Sequence, residues 1–544
     1  MKKTIAFTAL FAFSVFGTGI RFEPNAPADK RTDEIINMLS SRCQTPPPAG
    51  FFQQPMNFEA IRRWIARVEE CENLTLTDRQ TLEILKKRFS GGDGASLAKI
   101  EGDDGNYRVV LNLDLSADAR FYGDLDAMGI INPRIAANLG MFSFYSDIYV
   151  LTQFRSDTTW DQHGNYQPWR GPTFNVLGDP PSHLRAMDGF RAGLSAQNER
   201  FRFDVAVDYL TSGPAAHNRL MLNITDKPVF YMRAALDFGR LQYFKVFGML
   251  KELQFYNKYL YYHRVQVPFF DERLTLGINA SVISGSTGDR NTMSEPQGQH
   301  FSDYDLNRRR NIEPIYMIPF VPYFFAEHFV GDLDNKQIGF DLELRMPQIA
   351  RWYFEFLIDD GRAPHELFSD WWGNKWALTV GTQWFPVIAG RNLIFGLEYC
   401  RVEPWVYTHF RGAATNNAHY GRSIGAELGP NSAQIRANSQ FNFSQRHALR
   451  LDWTHNRFNR SVRGGSLGDV FVYPNTVEEL ARMGIYGVLA DSETKRFLGD
   501  GYSKNYEISL SHIFRQFGRF EMESSVFHNS DKGAGIGVRG GFRF

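Results

Sequence analysis

Several aromatic and charged residues have side chains of the kinds that bind carbohydrate. Sugar rings have apolar faces that stack on Trp and Tyr, and they carry hydroxyls that hydrogen-bond to Asp and Arg. We predict a carbohydrate-binding surface on the loops. The alternative for each Trp is a structural place in the aromatic belt of a membrane protein. The candidate residues are Trp160, Trp169, Trp371, Trp372, Tyr407, Asp359, Asp360, Arg308 and Arg309.

Signals for catalysis are weak. Two stretches match G-x-S-x-G, around Ser423 and around Ser466. A nucleophilic serine of this type needs a strand before it and a helix after it, whereas Ser423 precedes a Gly-Pro turn and Ser466 stands in a glycine-rich loop. The sequence also lacks H-E-x-x-H, a phosphate-binding Walker A loop and cysteines at metal-site spacing. We therefore predict no enzymatic activity, no cofactor and no metal.

The end of the chain, GAGIGVRGGFRF, is typical of a membrane-spanning β-strand. Ala534, Ile536 and Val538 fall on one face, and Arg539 falls on the other. A period of two that ends on an aromatic residue is how an outer-membrane β-barrel closes. The terminal Phe544 also resembles the signal that the barrel-assembly machinery reads.

The same alternation recurs upstream and predicts the fold class. In residues 107–121, alternate apolar residues share one face while Asp114, Asp118 and Arg120 share the other. A β-sandwich strand also alternates, but strands over most of the chain favour an all-β, transmembrane antiparallel barrel across residues 106–544. We predict about 18 strands, with 16 as the alternative, since bacterial barrels have even numbers.

The N-terminal part has a different pattern. Residues 1–19 read as a secretory signal peptide, and 20–105 read as a small helical segment and linker, either periplasmic or filling the lumen. Thr77 is the predicted helix cap, with Gln80 three residues on. Cys43 and Cys71 form a disulfide or stay as two free thiols.

Charged residues on the predicted lumen faces have mixed signs. They include Asp118, Glu507, Arg120 and Arg539. A pore for a polyanion would be dominated by Arg and Lys, so the mixture favours internal ion pairs in a filled barrel. The net charge of the 544 residues is zero, which gives no indication of nucleic-acid binding. We predict that the apolar stretch 312–325 packs into the barrel mouth, because it is hard to leave in water.

A series of short motifs between residues 261 and 432 resembles the Wzi capsule-assembly family of Gram-negative outer membranes. The motifs are the pair His263 and Arg264, the pair Asp334 and Asn335, the pair Asp359 and Asp360, the strand Glu398–His409, and the turn Leu428–Ser432. The resemblance implies an eighteen-stranded barrel that is occluded by helical elements. It also implies a lectin-like role in attaching capsular or exopolysaccharide.

Together these observations predict a non-enzymatic barrel in the outer membrane that binds surface polysaccharide. Its expected partners are that polysaccharide, outer-membrane lipid and the barrel-assembly machinery. The alternatives are a porin-like channel for polysaccharide or small solutes, and an outer-membrane hydrolase. An open lumen would distinguish the channel, and turnover of lipid or glycan would distinguish the hydrolase.

Overall fold

A computed structural model shows how the chain folds. It describes residues 25–543 apart from 27–29, 49, 90–96, 103–106, 156–173, 178–182, 199, 252–256, 286–311, 331–333, 362–363, 410–411, 445, 470–493 and 517–519. Among these residues, no helix is both long enough and apolar enough to cross a bilayer.

Eighteen antiparallel strands form one closed barrel, in which each strand pairs with the next along the chain. The last strand pairs with the first, with Ile536 opposite Phe121, and this closes the ring. The predicted barrel and the preferred count of eighteen are confirmed. In chain order the strands are β1 (Tyr107–Phe121), β2 (Leu125–Leu139), β3 (Phe142–Arg155), β4 (Leu184–Gln197), β5 (Phe201–Ser212), β6 (Leu222–Asp237), β7 (Gln242–Leu250), β8 (Lys258–Phe269), β9 (Leu274–Gly285), β10 (Asn335–Met346), β11 (Ala350–Asp360), β12 (Lys375–Trp384), β13 (Arg391–Val402), β14 (Ser432–Asn442), β15 (His447–Phe458), β16 (Ser503–Gln516), β17 (Phe520–Asn529) and β18 (Gly533–Arg543).

The alternation along the strands separates a lipid-facing row from a lumen-facing row. In β10, Ile338 and Phe340 are both 41% exposed, whereas Asp341 and Glu343 are buried. This reverses the burial found in a soluble protein, because the apolar row meets acyl chains and the charged row pairs inside. Arg264 on β8, for example, forms an ion pair with Asp341 at 2.6 Å.

Within the described part of the chain, three helices precede the barrel: α1 (Lys30–Cys43), α2 (Phe58–Glu69) and α3 (Leu76–Phe89). Their apolar stripes pack together around Ile36, Leu39, Trp64 and Leu85. A hydrophobic core of this kind is what stabilises such short helices. The disulfide between Cys43 and Cys71 joins the end of α1 to the segment after α2, and its Cα atoms are 5.6 Å apart.

Helix α1 lies inside the barrel. Arg31 forms an ion pair with Glu523 on β17 at 2.6 Å. Seven strands away around the ring, Arg345 on β10 donates to the side-chain amide oxygen of Asn37 at 2.9 Å. One helix can reach both walls only from the lumen. The division of the chain at residues 19 and 105 stays a prediction.

The two ends of the barrel differ in their connections. At the end near α1, Arg42 donates to the backbone of Gln348 at 3.3 Å. The connections at this end, such as 140–141 and 270–273, are short, as periplasmic turns are in bacterial barrels. The long loops lie at the opposite end, the extracellular mouth.

The segment of residues 312–330, here named the outer segment, does not enter the mouth, so that prediction is wrong. It contains a 3₁₀ turn, Pro314–Met317, and helix α4, Tyr323–Val330. On β8, Tyr262 and Arg264 face the lumen, so Tyr261 between them faces outward. Glu313 donates its N–H to the Tyr261 hydroxyl at 2.8 Å. The outer segment therefore covers the outside of the wall.

Candidate functional site

Residues 213–221 between β5 and β6, here named the crossing segment, turn into the lumen at Gly213. This glycine has a φ of +121°, which L-residues with a side chain rarely adopt. A Cβ atom at this position would also overlap the carboxylate of Glu355. Glycine is therefore required where the chain leaves the wall.

Two buried carboxylates hold the crossing segment in place. Glu355 on β11 accepts the backbone N–H groups of Ala215 and Leu220, both at 2.8 Å. Glu398 on β13 accepts those of residues 217–218, at 2.9 and 2.8 Å. Hydrogen bonds to a charged acceptor are stronger than those to a neutral one, and they satisfy backbone groups that are out of reach of water.

The crossing segment spans the full width of the lumen. It starts between the fifth and sixth strands of the ring, and Asn218 donates to Gln434 on the fourteenth at 2.7 Å. Strands eight or nine places apart in a ring of eighteen lie opposite each other. The described residues therefore form a bar across the lumen between these walls.

The loop between β13 and β14 forms a layer above the crossing segment, and it contains Tyr407. The Tyr407 hydroxyl donates to the carbonyl of Leu220 at 2.8 Å and accepts the N–H of Ala426 at 3.0 Å. Its own N–H donates to Asp359 at 2.6 Å. Tyr407 is fully buried. In this structure, Tyr407 and Asp359, which were both predicted to contact ligand, therefore support the loop instead.

The predicted contacts Trp371 and Trp372 also pack inside the mouth. Trp372 is 1% exposed and stacks edge-on against Trp405, with ring centroids 5.9 Å apart. Trp371 is 8% exposed and lies beside Trp372. Asp360 is different, because its side chain is 42% exposed and lies 3.5 Å from the ammonium of Lys375. Of these three, only Asp360 presents substantial surface to solvent.

Four predicted contacts lie outside the described residues: Trp160, Trp169, Arg308 and Arg309. The motifs that carry the family resemblance are described, and several of their residues are structural. Arg264 pairs with Asp341, and Glu398 holds the crossing segment. These residues therefore shape the filled interior.

An accessible polar group remains on the lumen face where the barrel closes. It comprises Asp118, Arg120, Tyr122, Glu507 and Arg539, here named the mouth cluster. The side chain of Arg539 is 54% exposed and lies 3.8 Å from Asp118, which is also 3.7 Å from the half-exposed Arg120. Arg120 also interacts with Tyr122 and Glu507. The group combines both signs of charge with one aromatic ring.

Glycines make room for aromatic rings beside this cluster. A Cβ atom on Gly535 would overlap the ring of Phe527. Phe527 lies against Tyr122, with ring centroids 4.6 Å apart, and the Lys532 ammonium stands 5.1 Å from the Tyr122 centroid. Alternate glycines on the last strand therefore leave space for a small aromatic platform.

The mouth cluster can bind a hydroxyl-rich ligand. Burial, together with the carboxylate of Glu507, raises the pKa of the Tyr122 hydroxyl, so this group remains a hydrogen-bond donor at neutral pH. Guanidinium groups supply further donors, and the carboxylates supply acceptors. A sugar presents the same mixture of apolar face and hydroxyls.

Alternation alone identified four members of the mouth cluster as lumen-facing, but it gave no reason to favour them over other lumen charges. Tyr122 was missed because it lies in the turn just beyond β1. The spacing of Gly533, Gly535 and Gly537 was the available signal, since glycines on one face of a strand often mark a close approach.

The two serine motifs lack the surroundings of a nucleophile. The Ser423 hydroxyl accepts the N–H of Gly425 at 3.1 Å, and the Ser466 hydroxyl accepts that of Gly468 at 3.4 Å. Ser423 is followed by turns and then by β14. A helix after the serine, which the motif needs, is therefore missing at Ser423.

Comparison with known proteins supports the fold. No protein-family model matches the chain, and no curated protein matches it by sequence. The structure is similar to that of Wzi, an outer membrane protein involved in group 1 capsule assembly in Escherichia coli and a carbohydrate-binding β-barrel. The TM-score is 0.56 at 11% identity, over 96% of this chain and 99% of that one. The outer membrane protein OpdK from Pseudomonas aeruginosa matches with a TM-score of 0.41 at 9% identity, over 80% of this chain and 98% of that one. The chain is an outer-membrane β-barrel.

Proposed function

We propose that this barrel binds capsular or exopolysaccharide and attaches it to the cell surface, without catalysis, in the manner of a Wzi-like protein. The observation that carries the proposal is the mouth cluster, an accessible group of donors, acceptors and an aromatic ring. It lies on one wall of a lumen that the crossing segment bridges elsewhere. Such a site can retain a glycan at the surface.

The proposed contacts divide between the wall and the loops. Arg120, Arg539 and Tyr122 supply donors and an aromatic face on the wall. On the loops, the proposal retains Asp360 together with the residues outside the described part of the chain: Trp160, Trp169, Arg308 and Arg309. A polymer that reaches from the loops into the mouth would contact both groups.

The test is binding of the purified, detergent-folded protein to the surface polysaccharide of the producing organism. A hydrogen bond to a charged group contributes roughly 1.5–3 kcal/mol, so loss of Arg120 should weaken binding about tenfold or more. Arg120→Ala and Arg539→Ala are the test variants. Arg496→Ala is the matched control, since this side chain is 76% exposed on an extracellular loop, where it pairs at 3.2 Å with Asp500, whose side chain is 90% exposed.

Saturable binding that falls in the two test variants and persists in the control would support the proposal. Equal binding by all three variants would show that the mouth cluster does not contribute to polysaccharide binding. Planar-bilayer conductance of the same preparations distinguishes the channel alternative, because a large conductance without retained glycan is the signature of a porin. Turnover of lipid or glycan that disappears in Ser423→Ala or Ser466→Ala would instead identify a hydrolase.

A further inference from the structure

The outer face of the wall behind the outer segment is unusually polar for a lipid-facing surface. Lys245 on β7 is paired in register with His263 on β8. Both face outward, because Phe244 and Tyr262, next to them, belong to the lumen core. A lysine on the lipid face of a barrel near mid-bilayer costs about 2–4 kcal/mol, so this pair needs a cover.

The pair lies within the height of the apolar band of the barrel. His263 stands six residues before the end of β8 at Phe269. At about 3.3 Å per residue and a tilt of about 40°, this places it roughly 15 Å above the periplasmic end of β8, whereas Lys245, three residues after the start of β7 at Gln242, lies roughly 8 Å above the periplasmic end of β7. The apolar band of such barrels is about 25 Å tall. The pair therefore lies at hydrocarbon depth.

The outer segment covers this pair and interacts with both of its side chains. The Lys245 ammonium donates to the carbonyl of Ile318 at 3.1 Å and to the Tyr323 hydroxyl at 2.9 Å. The His263 ring stacks on Tyr323, with centroids 4.3 Å apart. These contacts leave Lys245 only 9% exposed.

The wall in turn satisfies the irregular backbone of the outer segment. Phe320 donates its N–H to the hydroxyl of Tyr243 at 3.0 Å, and Glu313 donates to Tyr261. Non-helical backbone is tolerated at membrane depth only when protein partners replace water. In water, solvent molecules would accept these backbone N–H groups and the tyrosine hydroxyls would not be required.

The other face of the outer segment is apolar and exposed. The exposed fractions are 68% for Phe325, 81% for Phe329 and 54% for Ile318. This surface continues the lipid-facing row of the barrel, since Ile278 on β9 is 55% exposed and lies opposite the exposed Phe340 on β10. Helix α4 packs against β9 and β10, so the exposed apolar face of the segment adjoins the lipid-facing surface of these strands.

Charged groups of the outer segment stand near its return to the mouth. Glu327 in α4 forms an ion pair with Lys336 at 2.5 Å. Lys336 is the second residue of β10, which starts at the extracellular end of the barrel. A polar upper end and an apolar lower part are what a segment inserted from the extracellular side requires.

We propose that the outer segment is embedded in the outer leaflet, where Phe325, Phe329 and Ile318 contact acyl chains while Lys245 and His263 attach the segment to the wall. The occupant of its exposed face is lipid. This inference does not depend on polysaccharide binding. It gives the barrel a lipid contact that lies beyond its ring of strands.

The test measures where the segment lies in a bilayer. Spin labels are attached at Phe325→Cys, at Ile278→Cys on the bare wall, and at Asp500→Cys, whose parent side chain is 90% exposed. All are made in a Cys400→Ala background and reconstituted in phosphatidylethanolamine–phosphatidylglycerol vesicles. The ratio of oxygen accessibility to nickel-chelate accessibility should match between 325 and 278, and exceed that at 500 by about tenfold or more, because the polar chelate is excluded from hydrocarbon whereas apolar oxygen enters it.

A ratio at 325 equal to that at 500 would overturn the proposal, because it would place the segment in water. Spin–spin broadening at 325 that disappears on dilution with unlabelled protein would also overturn it, since the occupant would be a second copy of the chain. Lys245→Met gives an independent check. It should raise label mobility at 325 and leave 278 unchanged, and unchanged mobility at both sites would refute the attachment role of Lys245.

Discussion

Removal of Glu398 should open the lumen without unfolding the barrel. Glu398→Ala leaves three donors of the crossing segment without their acceptor: the N–H groups of His217 and Asn218 and the amide of Asn218, which lie 2.8–3.0 Å from the carboxylate. The Asn218 amide keeps its second bond, to Gln434, so two buried N–H groups of the crossing segment are fully orphaned. The Tyr353 hydroxyl on β11 also loses the bond that it donates to Glu398, at 2.9 Å.

The magnitude follows from the cost of an unsatisfied buried donor, about 1–3 kcal/mol each. Two such groups destabilise the inserted segment by about 2–6 kcal/mol. At 3 kcal/mol the fraction of molecules with the segment displaced rises roughly a hundredfold, since each 1.4 kcal/mol is a factor of ten. The strand ladder is untouched, so heat-modifiable migration in gels should be retained.

The assay is conductance in planar bilayers for wild type, Glu398→Ala and a control, Asp500→Ala. We expect more frequent or larger open events in Glu398→Ala only. Unchanged conductance in a correctly folded Glu398→Ala protein would refute the reasoning, because it would show that the crossing segment does not seal the lumen. Glu355→Gln offers a second perturbation of the same segment if Glu398→Ala fails to fold.

Two further predictions concern other parts of the chain. Cys43→Ser should destabilise the helical segment by about 3–4 kcal/mol, because the disulfide closes a loop with a sequence separation of 28. Protease cleavage within residues 44–70 should therefore increase, while the barrel should keep its heat-modifiable migration in gels. Burial lowers the pKa of His419 from 6.5 to about 3, so its neutral ring contributes stability that is complete above pH 6.5 and is lost as the pH falls toward 3. His419→Gln should therefore make the loop that carries it less sensitive to proteolysis at about pH 4 than the wild-type loop, and equal acid sensitivity would contradict this assignment.

Much of the fold could be predicted because barrel strands repeat one simple pattern. Asp341 and Glu343 alternate with Phe340 and Leu342, and a period of two fixes which face each side chain occupies. Because the first and last strands pair antiparallel, the ring must contain an even number of strands. Loops carry no such period, so their course could not be predicted.

The candidate site shows the same limit. Trp371 and Trp372 are of the right type for a sugar contact, but the same residues pack well inside a protein, and only the three-dimensional arrangement distinguishes these roles. The side of the wall on which residues 312–325 lie depends on Lys245 and Tyr243, which are distant in sequence.

The helix cap predicted at Thr77 is instead at Thr75, whose hydroxyl accepts the N–H of Asp78 at 3.1 Å. Both threonines fit the capping pattern.

The contacts of α1 also constrain the order of assembly. The helix is made early, yet Arg31 and Glu523 are 492 positions apart, and Glu34 pairs with Arg450 at 2.7 Å. These partners stand on β17 and β15, among the last strands to be synthesised. Contacts of such long range form late in folding. The helical segment therefore reaches its final place only when the ring is nearly complete, and a chain cut short before β15 would lack the walls that receive it.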